Sequence, residues 1–349
     1  MHESDFARMR TLIVGVGALG GVIAGRLRVS GAQVSLATRD PASAALLRAS
    51  GLLVTGIGGS LSVGMPDVAG IDEYSTRGSF DLVVLATKAR DAISAAPRVA
   101  QLLGEAGTLL PIQNGTVSQI LADQLGGERV LGGLSNLGAT MTEPGQYEQR
   151  NHGHILIGEL AGGESARVER VRRWLGRGVE VRVTTNLRGA AWSKLLLNCA
   201  VTTIGAVAGC AMRNYVSLPE GRDLFDRAYD EALSVALASG ARPERMLVDP
   251  VPPGWNGRSV PSDAHEAWLA EVLKAYGDLK PSMLQDFERH RTTEVDFING
   301  YVVSLGQRLN VATPANVAIG EAVHAISLGE LAPDRTLLRR ISSRLGTAR

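Results

Sequence analysis

The feature that most constrains this 349-residue chain is an apolar strand that runs directly into a glycine-rich turn. The strand is Thr11–Val14, the turn is Gly15–Gly20, and the alanine-rich stretch behind it predicts a helix. Gly15 permits a tight turn, Gly17 lets the backbone lie against a diphosphate, and Gly20 lets the helix pack on the strand. The helix N-terminus adds a positive dipole end. This order predicts the first crossover of a dinucleotide-binding domain; the alternative is a strand–helix turn that binds no ligand.

Bulk composition is that of an ordinary globular protein. Lys and Arg number 36 against 35 Asp and Glu, so nothing indicates a nucleic-acid surface. We expect no membrane-spanning segment, since no apolar run looks long enough, and no signal peptide in residues 1–8. Cys199 and Cys210 lie in one apolar stretch without a CxxC pair or nearby histidines. We therefore expect free thiols, no metal site and a cytoplasmic protein.

The first half of the chain alternates short apolar strands with helical segments. The predicted strands are Thr11–Val14, Gln33–Ala37, Leu52–Thr55, Leu61–Val63, Asp81–Ala86, Thr108–Ile112, Val130–Leu137 and His154–Ile157. Residues 52–63 read as a hairpin, and Pro144-Gly145 reads as a turn between the last two strands. Strands separated by helices predict an α/β fold with a parallel sheet, here an N-terminal Rossmann-type domain over residues 9–186.

Beyond about residue 183 the pattern becomes helical. Apolar spacing predicts helices over 187–207, 221–239, 265–273 and 294–309, hence an all-helical C-terminal domain over 187–345 that carries the substrate and the chemistry. Residues 243–263 are rich in proline and glycine and predict an irregular loop. This loop either lies over the site or is a passive surface excursion. The apolar helices of this half favour a homodimer.

The end of the second strand indicates which nucleotide the first domain prefers. The residue about twenty positions beyond the glycine turn reads the adenosine ribose. Here the strand ends at Arg39, whose guanidinium can hold a 2′-phosphate, which favours NADP(H). Asp40 follows at once and keeps NAD open; Arg39 can also be a solvated loop charge.

Polar residues follow two further strands at the same predicted sheet edge. Lys88 follows the strand 81–86, and Asn114 lies in Gln113-Asn114-Gly115 after the strand 108–112. Ligands of parallel sheets bind at the carboxyl ends of strands, so both side chains are candidate cofactor contacts. The alternative is that Asn114-Gly115 only makes a turn and that Lys88 is simply exposed.

One predicted helix carries polar residues on an otherwise apolar surface. In 190–202, Lys194, Asn198 and Thr202 are spaced i, i+4 and i+8 and so line one face. A buried lysine must pair or face a cleft, and burial lowers its pKa toward the range of a proton donor. The alternative is a lysine that reaches solvent at the helix start.

A second cluster of candidate residues lies near the C-terminal end. Ser282 follows Pro281 at a predicted helix start, where it can donate toward a carboxylate. Glu294 is expected in the first turn of an amphipathic helix, where a carboxylate is also favourable without any function. No catalytic triad motif, metal-binding histidine spacing or Walker loop is present.

Taken in order, these motifs resemble those of the ketopantoate reductases (2-dehydropantoate 2-reductases). The motifs that carry the resemblance are the GxGxxG turn, Arg39, Thr87-Lys88-Ala89, Gln113-Asn114-Gly115, Trp192-Ser-Lys194-Leu-Leu-Leu-Asn198, Ser282-Met-Leu-Gln-Asp286, Thr293-Glu294-Val-Asp296 and Thr313-Pro314. They span nearly the whole chain. The chain departs from the family at Thr202, where a second asparagine is usual. Near Met212 the family has an asparagine that meets a substrate hydroxyl, and Asn214 is offset from that position.

The resemblance implies a role for each candidate residue. The implied NADP(H) contacts are Gly15, Val16, Gly17, Ala18, Leu19, Gly20, Arg39, Lys88, Asn114, Ala139 and Glu294. The implied substrate contacts are Lys194, Asn198, Thr202 and Ser282. Lys194 would donate the proton, Asn114 would add a neutral donor, and Glu294 would hold Lys194 or the nicotinamide ribose.

The implied activity is an NADPH-dependent oxidoreductase that transfers hydride to the C2 carbonyl of a 2-oxo acid. By resemblance the first substrate is 2-dehydropantoate, reduced to pantoate in pantothenate biosynthesis. One alternative is the same scaffold acting on another 2-oxo acid or an opine-type substrate. Another is a non-catalytic NADP(H)-sensing protein, against which the retained Lys194 and Glu294 argue.

Overall fold

The computed structural model describes residues 9–114 and 116–346, and the chain divides into two compact units between Leu187 and Arg188. Each unit has its own hydrophobic core. Two sequence predictions fall outside the described residues: the absence of a signal peptide in residues 1–8, and the turn at Gly115.

The first unit holds all the strands of the described chain, five α-helices and one 3₁₀ helix, Ile71–Thr76. The strands are β1 (Thr11–Val14), β2 (Val34–Thr38), β3 (Leu52–Gly56), β4 (Leu61–Val63), β5 (Val68–Gly70), β6 (Phe80–Leu85), β7 (Leu103–Pro111), β8 (Gly132–Ser135), β9 (Ala139–Glu143), β10 (Gln146–Gln149), β11 (Ile155–Gly158) and β12 (Val181–Val183). The helices are α1 (Ala18–Val29), α2 (Pro41–Ser50), α3 (Ala89–Ala100), α4 (Val117–Leu125) and α5 (Ala166–Leu175).

A five-stranded parallel sheet in the order β5-β2-β1-β6-β7 forms the centre of this unit. β1 and β6 are buried in the middle because both faces of such a sheet are covered by helices. The predicted α/β class with a parallel sheet is therefore confirmed. The predicted hairpin is also confirmed, since β3 and β4 pair antiparallel with Leu52 opposite Val63.

The later strands of the first unit differ from the sequence prediction. The strands β8 to β12 do not extend the parallel sheet. They form two small mixed sheets, β12-β11-β8 and, together with the earlier hairpin β3–β4, β4-β3-β10-β9. Pro144-Gly145 does form a turn, as predicted, but it joins two strands that the sequence did not predict, the hairpin β9–β10. The short strand β5 was also missed. β9 is half-exposed and polar, and β5 has only three residues, so neither carries a clear apolar alternation.

The second unit is all-helical in its described part, as predicted. Its helices are α6 (Leu187–Leu197), α7 (Thr203–Ala208), α8 (Met212–Val216), α9 (Pro219–Ala238), α10 (Asp263–Tyr276), α11 (Ser282–Glu288), α12 (Asn299–Leu309), α13 (Pro314–Ser327) and α14 (Thr336–Leu345). A π-helical turn, Asn198–Thr202, joins α6 to α7.

The helix predicted over 294–309 is broken in the structure. A short 3₁₀ turn, Val295–Phe297, precedes α12, and Ile298 between them has φ −108° and ψ −93°, outside the helical region. The expectation that Glu294 occupies the first turn of a long helix is therefore wrong. Glu294 instead lies just before the 3₁₀ turn, so the helix-dipole explanation for this carboxylate is weakened.

The proline- and glycine-rich segment 243–263 is tied to helices of its own unit. Trp268 donates from Nε1 to the Asp249 carbonyl at 2.7 Å, and Tyr229 donates from its hydroxyl to the Pro250 carbonyl at 2.9 Å. Trp255 donates to the largely buried carboxylate of Asp230 at 2.9 Å. Buried side-chain bonds of this kind fix an irregular backbone that has no sheet or helix partners.

One helical stretch within the described residues passes the length and hydropathy test for a membrane span, contrary to the sequence expectation. It covers Leu187–Ala208, and 78% of its apolar window is buried inside the protein. Core helices of globular proteins pass the same test. Burial therefore accounts for its apolar character, and the stretch is weak evidence for a membrane span.

Candidate active site

The glycine turn has the backbone geometry that a diphosphate requires. Gly15 has φ +93°, and a Cβ there would come within 2.5 Å of Thr87 Cγ2. A Cβ at Gly20 would overlap the Gly15 carbonyl oxygen, so α1 lies close on its strand. Gly17, the N-cap of α1, has open space where a side chain would be. This open cradle at a helix N-terminus fits a dinucleotide, with Val16, Ala18 and Leu19 completing the turn.

The two residues at the end of β2 have different tasks. Arg39 is 85% exposed and lies 3.3 Å from the Asp91 carboxylate. Asp40 caps α2: its carboxylate accepts from the Ser43 N–H at 2.8 Å and from the Ser43 hydroxyl at 2.9 Å. These hydrogen bonds lower the pKa of Asp40. The Asp40 carboxylate therefore has a structural role, whereas the Arg39 guanidinium extends into solvent.

Gln113, to which the sequence analysis assigned no role, links the ends of β6 and β7. Its buried amide donates to the carbonyls of Leu85 and Thr87, both at 3.0 Å. These two hydrogen bonds fix the path of the chain into Lys88, which is exposed at the N-cap of α3. Asn114 follows Gln113 and is half-buried. This role of Gln113 depends on the position of its amide against two strand ends, which the spacing of residues in the sequence does not show.

Ala139, the further cofactor contact implied by the resemblance, begins β9. It is half-buried and packs against the core of the first unit. β9 lies against α1, the helix that follows the glycine turn.

In the second unit, Lys194, Asn198 and Thr202 are each half-buried on a stretch whose other residues are almost all buried. The Thr202 hydroxyl lies 3.5 Å from the Asn198 Oδ1, at the outer limit of a hydrogen bond. Asn198 and Thr202 begin and end the π-helical turn. Single π turns inside α-helices are frequent at functional sites because they displace side chains from the regular helical face.

Lys194 has the electrostatic setting of an acid–base group. Burial lowers its pKa to about 8, and the negative charge of Glu294 acts in the opposite direction. The amine is therefore still mostly protonated at neutral pH and can release its proton. Glu294, half-buried before the 3₁₀ turn, is brought into electrostatic reach of Lys194 although 100 residues separate them in the sequence.

Ser282 is the first residue of α11, as predicted, and it is exposed. The helix begins where Pro281 packs on Gly205; a Cβ at Gly205 would lie 2.6 Å from the Pro281 ring. α11 contacts both α7 and the π turn. The start of α11 is therefore held beside the helix that carries Asn198 and Thr202.

Both cysteines of the chain are free thiols. Burial raises the pKa of Cys199, which lies within the π turn, so this thiol is unreactive. Across residues 9–114 and 116–346, no group of three or more His, Cys, Asp and Glu side chains is placed to hold a metal ion.

Comparison with known proteins covers both units. The family profile described as "Ketopantoate reductase PanE/ApbA" matches residues 11–162, and "Ketopantoate reductase PanE/ApbA C terminal" matches residues 186–327. A 2-dehydropantoate 2-reductase of Pyrococcus abyssi is 30% identical, over 89% of this chain and 95% of that protein. The Pyrococcus horikoshii protein of the same name is 28% identical, over 91% of this chain and 97% of its own length.

Among solved structures, D-mandelate dehydrogenase with NADH and anilino(oxo)acetate has a TM-score of 0.77. It is 22% identical and the match covers 92% of this chain and 99% of that chain, so it supports the fold. The two profile matches and the near-complete overlap with the Pyrococcus abyssi protein identify the chain as a member of the ketopantoate reductase family of NAD(P)H-dependent oxidoreductases.

Proposed function

We propose that this protein is an NADPH-dependent reductase that transfers hydride to the C2 carbonyl of a 2-oxo acid. The first substrate proposed is 2-dehydropantoate, reduced to pantoate for pantothenate biosynthesis in the cytoplasm. The observation that carries the proposal is Lys194: a half-buried amine on an apolar helix, with a pKa lowered to about 8 and a carboxylate as its electrostatic partner. A purely structural helix gains nothing from a desolvated lysine at this position.

The first unit is proposed to hold the cofactor. The open backbone cradle at Gly17 takes the diphosphate, and the exposed Arg39 takes the 2′-phosphate. NADPH is favoured over NADH because Asp40, the acidic residue in position to accept from a ribose, is engaged in capping α2. Lys88, Asn114 and Ala139 are proposed as further cofactor contacts, within a domain spanning residues 9–186.

The second unit, residues 187–345, is proposed to bind the substrate and supply the proton. The reduced nicotinamide, when bound, supplies the hydride that adds to C2. Negative charge then develops on the carbonyl oxygen, where the Lys194 ammonium stabilises it and donates a proton. Asn114 is proposed to add a neutral donor, and Glu294 to orient Lys194 or contact the cofactor.

We propose that the substrate is bound by Asn198, Thr202 and Ser282. Ser282 would contact the carboxylate of the substrate. These residues are neutral donors, and they suit an anion that must be released again after reduction. The Thr202 hydroxyl and the Asn198 Oδ1 lie 3.5 Å apart, so one small ligand group can reach both.

A second candidate function is the reduction of a 2-oxo acid without a hydroxyl on its side chain. The family resemblance implies an asparagine near Met212, which is fully buried, and the neighbouring Asn214 is exposed. A site that lacks a hydrogen-bond partner for a substrate hydroxyl loses its preference for the hydroxylated acid.

Oxidation of NADPH followed with a panel of 2-oxo acids tests these proposals. The panel contains 2-dehydropantoate, its analogue without the hydroxyl, a bulkier aromatic oxo acid, and an oxo acid with an added amine. We expect the highest kcat/KM with 2-dehydropantoate. A preference for a different acid supports the second candidate. Tight NADPH binding without turnover of any acid overturns both, and favours a sensing protein.

A further inference from the structure

Tyr147 reaches the glycine turn from a strand that lies outside the parallel sheet. Its hydroxyl donates to the Val16 carbonyl at 3.1 Å, joining residues 131 positions apart. The ring is only 2% exposed and lies on Gly21, where a Cβ would overlap it. Burial raises the pKa of this tyrosine to about 12, so the hydroxyl keeps its proton and acts as a donor at neutral pH.

The strand that carries Tyr147, β10, is paired on both sides. Along the pair β9–β10, Gln146 lies opposite Glu143 but Tyr147 lies opposite Met141, so the register shifts between these two positions. The shift leaves one extra residue, Thr142, on β9, so the irregularity belongs to the partner strand and β10 itself stays regularly paired at Tyr147. On its other side Tyr147 pairs in parallel with Val54 of β3, which holds the strand in place.

The sheet that carries Tyr147 is also attached to α1 at a second point. Arg26 of α1 donates to the carbonyls of Ile57, Gly58 and Gly59 at 2.9, 2.7 and 3.0 Å. These three carbonyls follow β3 directly, in the tip of the hairpin with β4. The helix α1 is therefore bonded near its C-terminal end to the hairpin tip and contacted near its N-terminal end by the Tyr147 ring. These two attachments hold Tyr147 in a fixed position relative to α1.

A bond to the Val16 carbonyl also fixes the neighbouring amide. The Val16 carbonyl and the Gly17 N–H belong to one trans peptide plane and point in opposite directions; no described peptide bond is cis. Gly17 is the N-cap of α1, at the end of the helix where N–H groups have no partner inside the helix. Holding the carbonyl therefore holds the Gly17 N–H in a single orientation, directed away from the tyrosine.

We propose that Tyr147 is a positioning residue for the cofactor diphosphate: its hydroxyl holds the Val16–Gly17 peptide in the orientation in which the glycine turn binds that group. The inference rests on the proposed cofactor site. Tyr147 acts through Val16 and is not a catalytic residue. Its loss weakens ligands that carry the diphosphate and leaves the binding of ligands without it unchanged.

The test is calorimetric titration of two ligands that differ in the diphosphate. 2′-Phospho-ADP-ribose carries it, whereas 2′-AMP keeps the adenosine and the 2′-phosphate but lacks it. For Tyr147→Phe we expect the Kd of the first ligand to rise about 3- to 10-fold, the value of one lost hydrogen bond. The Kd of 2′-AMP and kcat at saturating NADPH should stay at the wild-type values. If the wild type prefers nucleotides without the 2′-phosphate, ADP-ribose and AMP replace the pair.

The matched control is Tyr74→Phe. Tyr74 is an equally buried tyrosine of the same unit whose hydroxyl donates to the Leu36 carbonyl at 3.0 Å and to Asp67. This variant should lose stability without selective loss of the diphosphate ligand. A second variant, Gly21→Ala, pushes the Tyr147 ring away and should reproduce the selective effect if Tyr147→Phe folds poorly.

Three results would overturn the inference. They are an unchanged Kd of 2′-phospho-ADP-ribose in Tyr147→Phe, an equal weakening of both ligands, and a selective loss in Tyr74→Phe as well. If the wild-type protein binds no nucleotide of either pair, the proposed cofactor site itself is wrong and the inference falls with it.

Discussion

The two units differ in the kind of group that each is proposed to contribute to function. In the first unit the key groups belong to the backbone: a positive φ at Gly15 and open space at Gly17. In the second unit they are side chains, Lys194, Asn198 and Thr202, half-buried on an apolar helix. A backbone site depends on the absence of side chains and tolerates varied neighbours. A side-chain site depends on burial and on partners distant in the sequence.

This difference predicts how each unit responds to substitution. A change in the first unit should act on nucleotide affinity, because the proposed contacts with the diphosphate are made by the backbone. A change in the second unit should act on the rate at saturating cofactor, because the charge that Lys194 is proposed to offset develops only during the reaction.

The largest effect is expected from Lys194→Ala. Removing a general acid lowers kcat by about 10²- to 10⁴-fold, while the Kd for NADPH stays unchanged because the first unit is intact. Steady-state kinetics and fluorescence titration of NADPH give the two numbers. Lys274→Ala removes an exposed lysine of the same unit and should leave both unaltered. Near-full activity of Lys194→Ala would show that another group supplies the proton.

The next effect concerns the cradle itself. Gly17→Ala places a methyl group in open space at a φ of −80°, which any residue adopts, so the melting temperature should hold. The same methyl group occupies the space proposed for the diphosphate, and the Kd for NADPH should rise by about 10-fold or more, about 1.4 kcal/mol. Gly64→Ala, also in open space, is the control. If Gly17→Ala binds NADPH normally, the diphosphate lies elsewhere.

A smaller, selective effect is expected from Arg39→Ala. Loss of an exposed guanidinium should raise the Kd for NADPH by about 5- to 10-fold and leave the Kd for NADH unchanged, because only the former carries the 2′-phosphate. Arg98→Ala, another exposed arginine of the first unit, is the matched control. Equal affinities for both nucleotides in the wild type would contradict the proposed preference for NADPH.

The sequence predicts the backbone features of the first unit better than the side-chain surroundings in the second. The glycine turn, β1, β2 and the parallel sheet were predictable because glycine positions and apolar strands report backbone geometry directly. The hairpin β9–β10 was missed because its strands are short and polar, and with it the task of Tyr147. The sequence placed Lys194, Asn198 and Thr202 on one face, but it did not show what surrounds them.

Glu294 is a residue whose structural position the local sequence pattern predicted wrongly. Sequence periodicity gave it a helical place that the structure does not support, because Ile298 interrupts the helix. Its electrostatic relation to Lys194 depends on the packing of segments 100 residues apart, which no local pattern contains. Local patterns therefore predicted the conformation of the glycine turn well, whereas they gave the side chains of the second unit only as a set of candidates.

The smallest expected effect, a shift in pH dependence, probes that packing directly. Burial lowers the pKa of Lys194 to about 8 and Glu294 raises it. The proton donor is the protonated form, so the rate of hydride transfer should be flat below the pKa and fall as pH rises through about 8. Glu294→Gln removes the charge that favours the ammonium, so the fall should begin at a lower pH. Single-turnover rates at saturating NADPH, measured on both sides of that pH, report the position of this limb.

Glu288→Gln is the control, because Glu288 is an exposed carboxylate of the same unit paired with Lys280. It should leave the limb in place. A limb that stays fixed in Glu294→Gln would mean that Glu294 does not set the charge state of Lys194. A rate that instead rises with pH would mean that the titrating group accepts a proton in this direction of the reaction. In that case the second unit would bind substrate with Lys194 but would not use it as the acid. The expected contrast, in which changes in the first unit alter nucleotide affinity and changes in the second alter the rate, would no longer hold.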